Sequence, residues 1–145
     1  MAKNKYVGFW PRFGAHILEN ILVALIPAIL FISGAATIDF EPGAGIGLIL
    51  LAFLVWFILI VVNDIILVAK TGSSLGKRIV GIKIQDKQGK NLSYGTALVR
   101  MLVKRALFFF GIIGALVYTI PLWADKKERK SLGDLAAKSF VVERK

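Results

Sequence analysis

The stretch Arg12–Phe31, RFGAHILENILVALIPAILF, decides how the rest of the chain is read. It lies in a hydrophobic span from Phe13 to Ala36, and a helix needs about 20 apolar residues to cross a bilayer core. A segment serving only as an anchor would be apolar all round. This one carries Arg12, His16, Glu19 and Asn20, which share one face at about 3.6 residues per turn. The remaining surface is Ile, Leu, Val, Ala and Phe, which lipid accepts. A carboxylate at the centre of a spanning helix costs about 2.5–3.5 kcal/mol to insert, so Glu19 is expected to face protein or water. Arg12 and Glu19 lie about 10 Å apart along the axis. Both therefore belong to the same half of the membrane.

Composition agrees. The chain has 145 residues, enough for one domain, and is 57% hydrophobic with a mean hydropathy of +0.71, which is the membrane class. It has no cysteine and one histidine, which excludes disulfides and thiolate chemistry and disfavours a protein-built zinc site. No metal and no cofactor is expected. The net charge of +10 raises the question of nucleic acid. All the Lys and Arg fall in residues 3–12, 70–105 and 126–145, and none lies between Phe13 and Ala69. Basic flanks beside spanning helices mark the cytoplasmic side, where anionic headgroups attract them. The basic residues are not interleaved with stacking aromatics, so nucleic acid is set aside. A cleaved signal peptide is not expected, because the apolar run is longer than the usual core of about 7–15 residues and Glu19 interrupts it.

Along the chain, Phe9 and Trp10 are placed as interfacial anchors and Pro11 suits a first helical turn. Transmembrane helix 1 is expected over 13–36, with Pro27 inside it. Thr37–Gly45, TIDFEPGAG, is a turn with acidic and no basic residues, expected to face away from the cytoplasm. A second spanning helix follows over 47–69, with Asn63 and Asp64 near its basic end. Glu19 and Asp64 should then reach similar depth on antiparallel neighbours. In residues 79–92, Val80, Ile82 and Ile84 alternate with polar or small residues and Asp86-Lys87-Gln88-Gly89 is turn-like, which predicts a cytoplasmic β-hairpin or strand element. Ser93 is a helix cap. In residues 93–105, Thr96, Arg100 and Lys104 form one stripe, predicting a basic amphipathic helix lying on the membrane before it dips in.

Residues 106–124 are long enough to cross once, but a single crossing would put the last 21 residues, with seven Lys and Arg and including the expected cytoplasmic tail 131–145, outside. Gly111, Gly114 and Pro121 would let the segment turn back as a re-entrant hairpin, tolerated where protein or water covers it. Both flanks inside is the preferred arrangement, because SFVVE at Ser139–Glu143 reads as a strand whose natural partner is Ile79–Ile84. The single crossing stays open. The fold class is an all-α membrane protein: two spanning helices, a re-entrant or third transmembrane segment, a small strand element and an amphipathic helix, as one domain over 1–145.

The residues resemble the RDD family, small bacterial membrane proteins named for one arginine and two aspartates. FWPRF followed by an acid seven residues after Arg12 is similar to the family opening. SSLGKRIVGIKIQDKQGKNLSYGTALVR carries a GKR turn, an alternating strand, a glycine turn and a helix with Arg100. RKSLGDLAAKSFVV resembles the last element, with Asp134 as its aspartate. The resemblance thus marks Arg12, Glu19, Asp134, Gly76, Lys77, Arg78 and Gly81. The chain departs from the pattern in three places: Glu19 stands for the first aspartate, Gly133 for a frequent histidine, and Lys138 for the usual glycine. What the resemblance implies is at most transport, with monovalent cation–proton exchange in some members.

Neither a nucleophile–base–orienter set nor a phosphate loop is present, so no enzyme is expected. What remains is a polar cluster near the cytoplasmic side: Arg12, Glu19 and Asp64, joined by Arg100 or Lys104. Such charges either lock helices in register or bind a cation or proton. Asp134 is expected to tie to a basic group or a helix N-terminus. Two functions follow. One is transport of monovalent cations or protons, which would need a homo-oligomer because one chain offers few spans. The other is a non-catalytic adapter binding a protein partner or anionic lipid on the cytoplasmic face of the bilayer. Either places the chain in the bacterial inner membrane, multi-pass, with its N-terminus in the cytoplasm. A water-filled cavity at Glu19 and Asp64 would favour transport; their packing against Arg12 with no cavity would favour the adapter.

Overall fold

A computed structural model describes residues 6–110, 113, 114, 117, 120, 121 and 130–144. Helix α1 spans Phe9–Thr37 and α2 spans Pro42–Thr71, both a little longer than the apolar runs because helical hydrogen bonding continues into the polar flanks. Residues 38–41 join them, and they pack against each other. At the far end the backbones nearly touch: a Cβ on Gly34 would lie 2.8 Å from the Gly45 carbonyl oxygen, and one on Gly45 would lie 2.8 Å from that of Gly34. Small residues permit this approach, which drives helix pairing where lipid removes the hydrophobic effect between helices. The outer faces stay bare. Ile21, Leu25, Ile29 and Ile32 on α1, with Leu50, Phe53, Leu54 and Phe57 on α2, are all exposed. A core helix of a soluble protein would bury such residues; these faces need hydrocarbon instead.

One turn of α2, Val62–Leu67, is a π-helix. Its wider i→i+5 turn accompanies two successive polar side chains, Asn63 and Asp64, that both point inward and are buried. Gly72, at φ 72°, ends α2 in the left-handed region.

Beyond Gly72 the chain builds a compact layer on the charged end of the helix pair. Leu75–Ile79, which holds the GKR motif, is a short helix, α3, rather than the turn expected from the resemblance. The correction has a steric cause: α3 lies so close on α1 that a Cβ on Gly76 would sit 2.1 Å from the Ala15 carbonyl oxygen. Strand β1, Ile82–Gln85, follows the positive-φ Gly81. The turn at Asp86–Gly89 forms, with the Asp86 carboxylate accepting from the backbone N–H of Gln88 (2.8 Å) and Lys90 (2.9 Å). The local β-hairpin over 79–92 does not form. Both edges of β1 are taken: Ile84 N–H donates to Gly72 O at 2.6 Å, and the other edge pairs antiparallel with β2, Phe140–Glu143, in the register Ile82↔Glu143 and Ile84↔Val141. Tyr6 and Val7 extend this sheet beyond β2 through a Tyr6↔Val142 bridge and a Val7 N–H to Val141 O bond of 3.1 Å. Val7, Ala15, Ile82, Ile84, Leu92 and Val141 form the dry core between sheet and helices.

Helix α4 runs Tyr94–Phe109, past the expected end at 105. The question of a single crossing or a re-entrant turn over 106–124 lies mostly outside the described residues. Helix α5, Leu132–Ala136, opens the tail with a capping box between Ser131 and Asp134.

Candidate functional site: a buried charged cluster

Five elements converge where α1, α3, α4, α5 and the π turn meet. Arg12, Glu19, Asp64, Lys77, Arg100, Lys104 and Asp134 are all buried there. They form two adjoining knots.

The first is centred on Asp134, fully buried. Its Oδ2 accepts from Arg12 Nη1 at 2.5 Å and from the Ser131 N–H at 3.0 Å. Its Oδ1 accepts from Arg100 Nη1. Arg100 Nη1 also donates to Ser139 Oγ at 2.7 Å, and Arg12 Nε donates to Val7 O at 3.1 Å. Burial pushes the Asp134 carboxyl up, but the Arg100 and Arg12 guanidiniums and the Ser131 N–H outweigh it and hold the group at about 2, below the ordinary 3.8.

The second knot is centred on Glu19. Asn63 Nδ2 donates to Glu19 Oε1 at 2.6 Å and to Asp64 Oδ1 at 3.0 Å, while its Oδ1 accepts the N–H of Leu75 at 2.9 Å. Asn63 thus fixes α1, the π turn and α3 together. Glu19 Oε2 lies 3.4 Å from Lys77 Nζ, 3.3 Å from Lys104 Nζ and 3.6 Å from His16 Nδ1. Asp64 is held by Lys104 Nζ at 3.3 Å and Arg105 Nη2 at 3.0 Å. Burial lowers Lys77 from 10.5 to about 8, against the pull of Glu19. Cations therefore face every carboxylate. A cavity of about 10 Å³ beside Asp64, Lys77, Arg100 and Lys104 has room for at most one water.

Glu19, Asp64 and Lys104 meet as the spacing suggested, and so does the depth match between α1 and α2. Arg12 does not join Glu19. It turns to Asp134, which closes the cluster across the ends of the chain. Arg100 goes to the same aspartate. Of the marked family positions, Gly76 and Lys77 enter the site, Arg78 is exposed, and Gly81 supplies a positive-φ turn. Asn20 is exposed rather than on the buried face. Ser131, Ser139 and Arg105 were not singled out from sequence. Only Ser131 carried a signal, because Ser-x-x-Asp is a capping pattern. The basic stripe of α4 points inward: Ala97, Arg100 and Lys104 are buried while Tyr94, Leu98, Val99 and Leu102 are exposed.

The chain resembles two proteins of Bacillus subtilis (strain 168). It is 27% identical over 154 residues to "Uncharacterized protein YxaI", covering 96% of this chain and 98% of that one. It is 28% identical over 138 residues to "Uncharacterized protein YckC", covering 95% and 85%. No solved structure matches the chain. The RDD family pattern matches residues 6–138. That span takes in Arg12, Glu19 and Asp134, which one buried cluster ties together, and two helices that are apolar and bare enough for a bilayer. The chain is a membrane protein and belongs to the RDD family.

Proposed function

We propose that the chain is a non-catalytic membrane adapter, seated in the bacterial inner membrane with its basic end and N-terminus toward the cytoplasm, that docks anionic lipid headgroups or an acidic protein surface. One observation carries the reading: among the described residues Glu19, Asp64 and Asp134 are each held by cations, and the cavity beside Asp64 has room for at most one water. In this reading the carboxylates lock the elements in register, and the surface left for partners includes the exposed cations Lys70, Arg78, Lys87 and Lys90. Anionic headgroups attract each such cation by about 1 kcal/mol near the surface. The test compares thermal stability in detergent with added phosphatidylglycerol or phosphatidylcholine. The adapter reading expects a preference for phosphatidylglycerol that the combined variant Arg78→Glu, Lys87→Glu, Lys90→Glu abolishes. An equal response to both lipids in the unaltered protein overturns the lipid arm.

Cation–proton exchange in a homo-oligomer is the second reading, and Lys77 favours it. An ammonium that pairs with Glu19 and releases its proton near pH 8 can change the charge facing Glu19 within a physiological range. Cation-driven proton movement in proteoliposomes, lost in Glu19→Gln, would establish exchange and displace the adapter. No such movement is expected from the adapter.

A further inference from the structure

Helix α4 is amphipathic in the reverse sense for a helix lying on a membrane surface. Of its charged residues, Arg100 and Lys104 are buried in the protein and the half-buried Arg105 pairs with Asp64, while its outward stripe is Tyr94, Leu98, Val99 and Leu102, each at least 40% exposed. A basic helix floating on headgroups keeps its cations toward lipid phosphate and water. Here the ion pairs draw the cations inward and leave an apolar ridge with no cover among the described residues.

A depth argument, independent of that ridge, runs the same way. Arg100 shares Asp134 with Arg12, near the start of α1, whereas Lys104 reaches Glu19, about 10 Å further along α1. Lys104 also reaches Asp64, about 10 Å before the end of α2. Moving along α4 therefore means moving deeper, in the same sense as α1. The exposed apolar surface of α1 and α2 occupies that depth. We propose that α4 descends into the phospholipid leaflet beside α1, with its outward ridge against acyl chains, so that the charged cluster is enclosed within the membrane rather than resting on it. The inward face supplies the charge pairing that makes such depth affordable, because a lone Lys or Arg there costs several kcal/mol. This goes beyond the adapter reading and does not depend on which headgroup the exposed cations prefer.

The chain has no cysteine, so single cysteines report position without background. Leu98→Cys and Leu102→Cys, with Ile29→Cys as a lipid-facing reference and Lys87→Cys as an aqueous one, carry a nitroxide label in vesicles of phosphatidylcholine and phosphatidylglycerol. All four positions are exposed, so the labels leave the packing intact. The ratio of collision with oxygen to collision with a water-soluble nickel chelate should rise from position 98 to 102 and approach that at 29. A membrane-impermeant maleimide should label position 102 at least about tenfold more slowly than position 87, since water is scarce in hydrocarbon. Ratios and labelling rates at 98 and 102 equal to those at 87 overturn the proposal. Spin–spin broadening at 102 that persists on dilution with lipid also overturns it, by assigning the ridge to a second copy of the chain.

Discussion

Gly76 shows at a single residue why the GKR motif is built as it is. Any side chain there runs into the Ala15 carbonyl oxygen and the Glu19 backbone. Gly76→Ala should push α3 off α1, loosen the Lys77–Glu19 contact and cost about 1–3 kcal/mol as overpacking does, read as a lower melting temperature in detergent. Asp134 is the other residue with sharp consequences. Its carboxyl is held at about 2 against an ordinary 3.8. A lowered folded-state value means that its stabilisation is fully present above pH 3.8 and is lost as pH falls through about 2. Acid unfolding should therefore show a component of on the order of 2 kcal/mol in that window, and the component should be missing in Asp134→Asn. At neutral pH the same variant leaves Arg12 and Arg100 buried without their carboxylate, and it should be destabilised by about 3–5 kcal/mol. Lys138 lies in the left-handed region at φ 48°, a conformation costing a non-glycine residue about 1–2 kcal/mol. Lys138→Gly should raise the melting temperature, with a gain of about 0.5–1 kcal/mol once the added freedom of the unfolded chain is subtracted.

Among the elements, the π turn of α2 does the joining. It accompanies two adjacent inward polar residues, and Asn63 then spends its amide on α1 and α3 at once. Asn63→Leu has nearly the right volume but leaves Glu19 Oε1 and the Leu75 N–H without that partner, and it should cost about 1–3 kcal/mol for each polar group left unsatisfied. Hydrogen exchange should localise the loss to α3, because Leu75 opens that helix. The turn itself was not legible in the sequence, since VNDIIL has no composition that separates a π turn from an α turn. The direction of α4 was not legible either. Periodicity shows that one face is basic and the other apolar, but it does not say which is outside when the surroundings change from water to lipid. Only the partners on α1, the π turn and α5 decide that.

Across the whole molecule, the most readable features were the long ones. Two apolar runs became two helices, and the alternation at Ile82 and Ile84 together with SFVVE became a sheet, because burial of one strand face sets pairing without regard to distance along the chain. The charged centre was half readable. Spacing placed Glu19 and Asp64 at one level, but the partner of Arg12 sits 122 residues away at Asp134, and no local pattern can choose among carboxylates at that range. The glycine approach at Gly76 was marked by resemblance, and its reason emerged only once α3 was seen on α1.

That long-range clasp bears on how the protein is made. Tyr6 and Val7 lie on the strand at Phe140–Glu143, and Arg12 holds Asp134, so the opening helix is already synthesised when its counter-charge has yet to leave the ribosome. Until Ser131 and the residues after it emerge, Arg12 lacks its carboxylate and the small sheet lacks its middle strand. Products truncated before Ser131 should therefore be recognisable to membrane quality control as incomplete, because Asp134 and the strand at Phe140–Glu143 close the cluster and the sheet that Arg12 and Val7 begin.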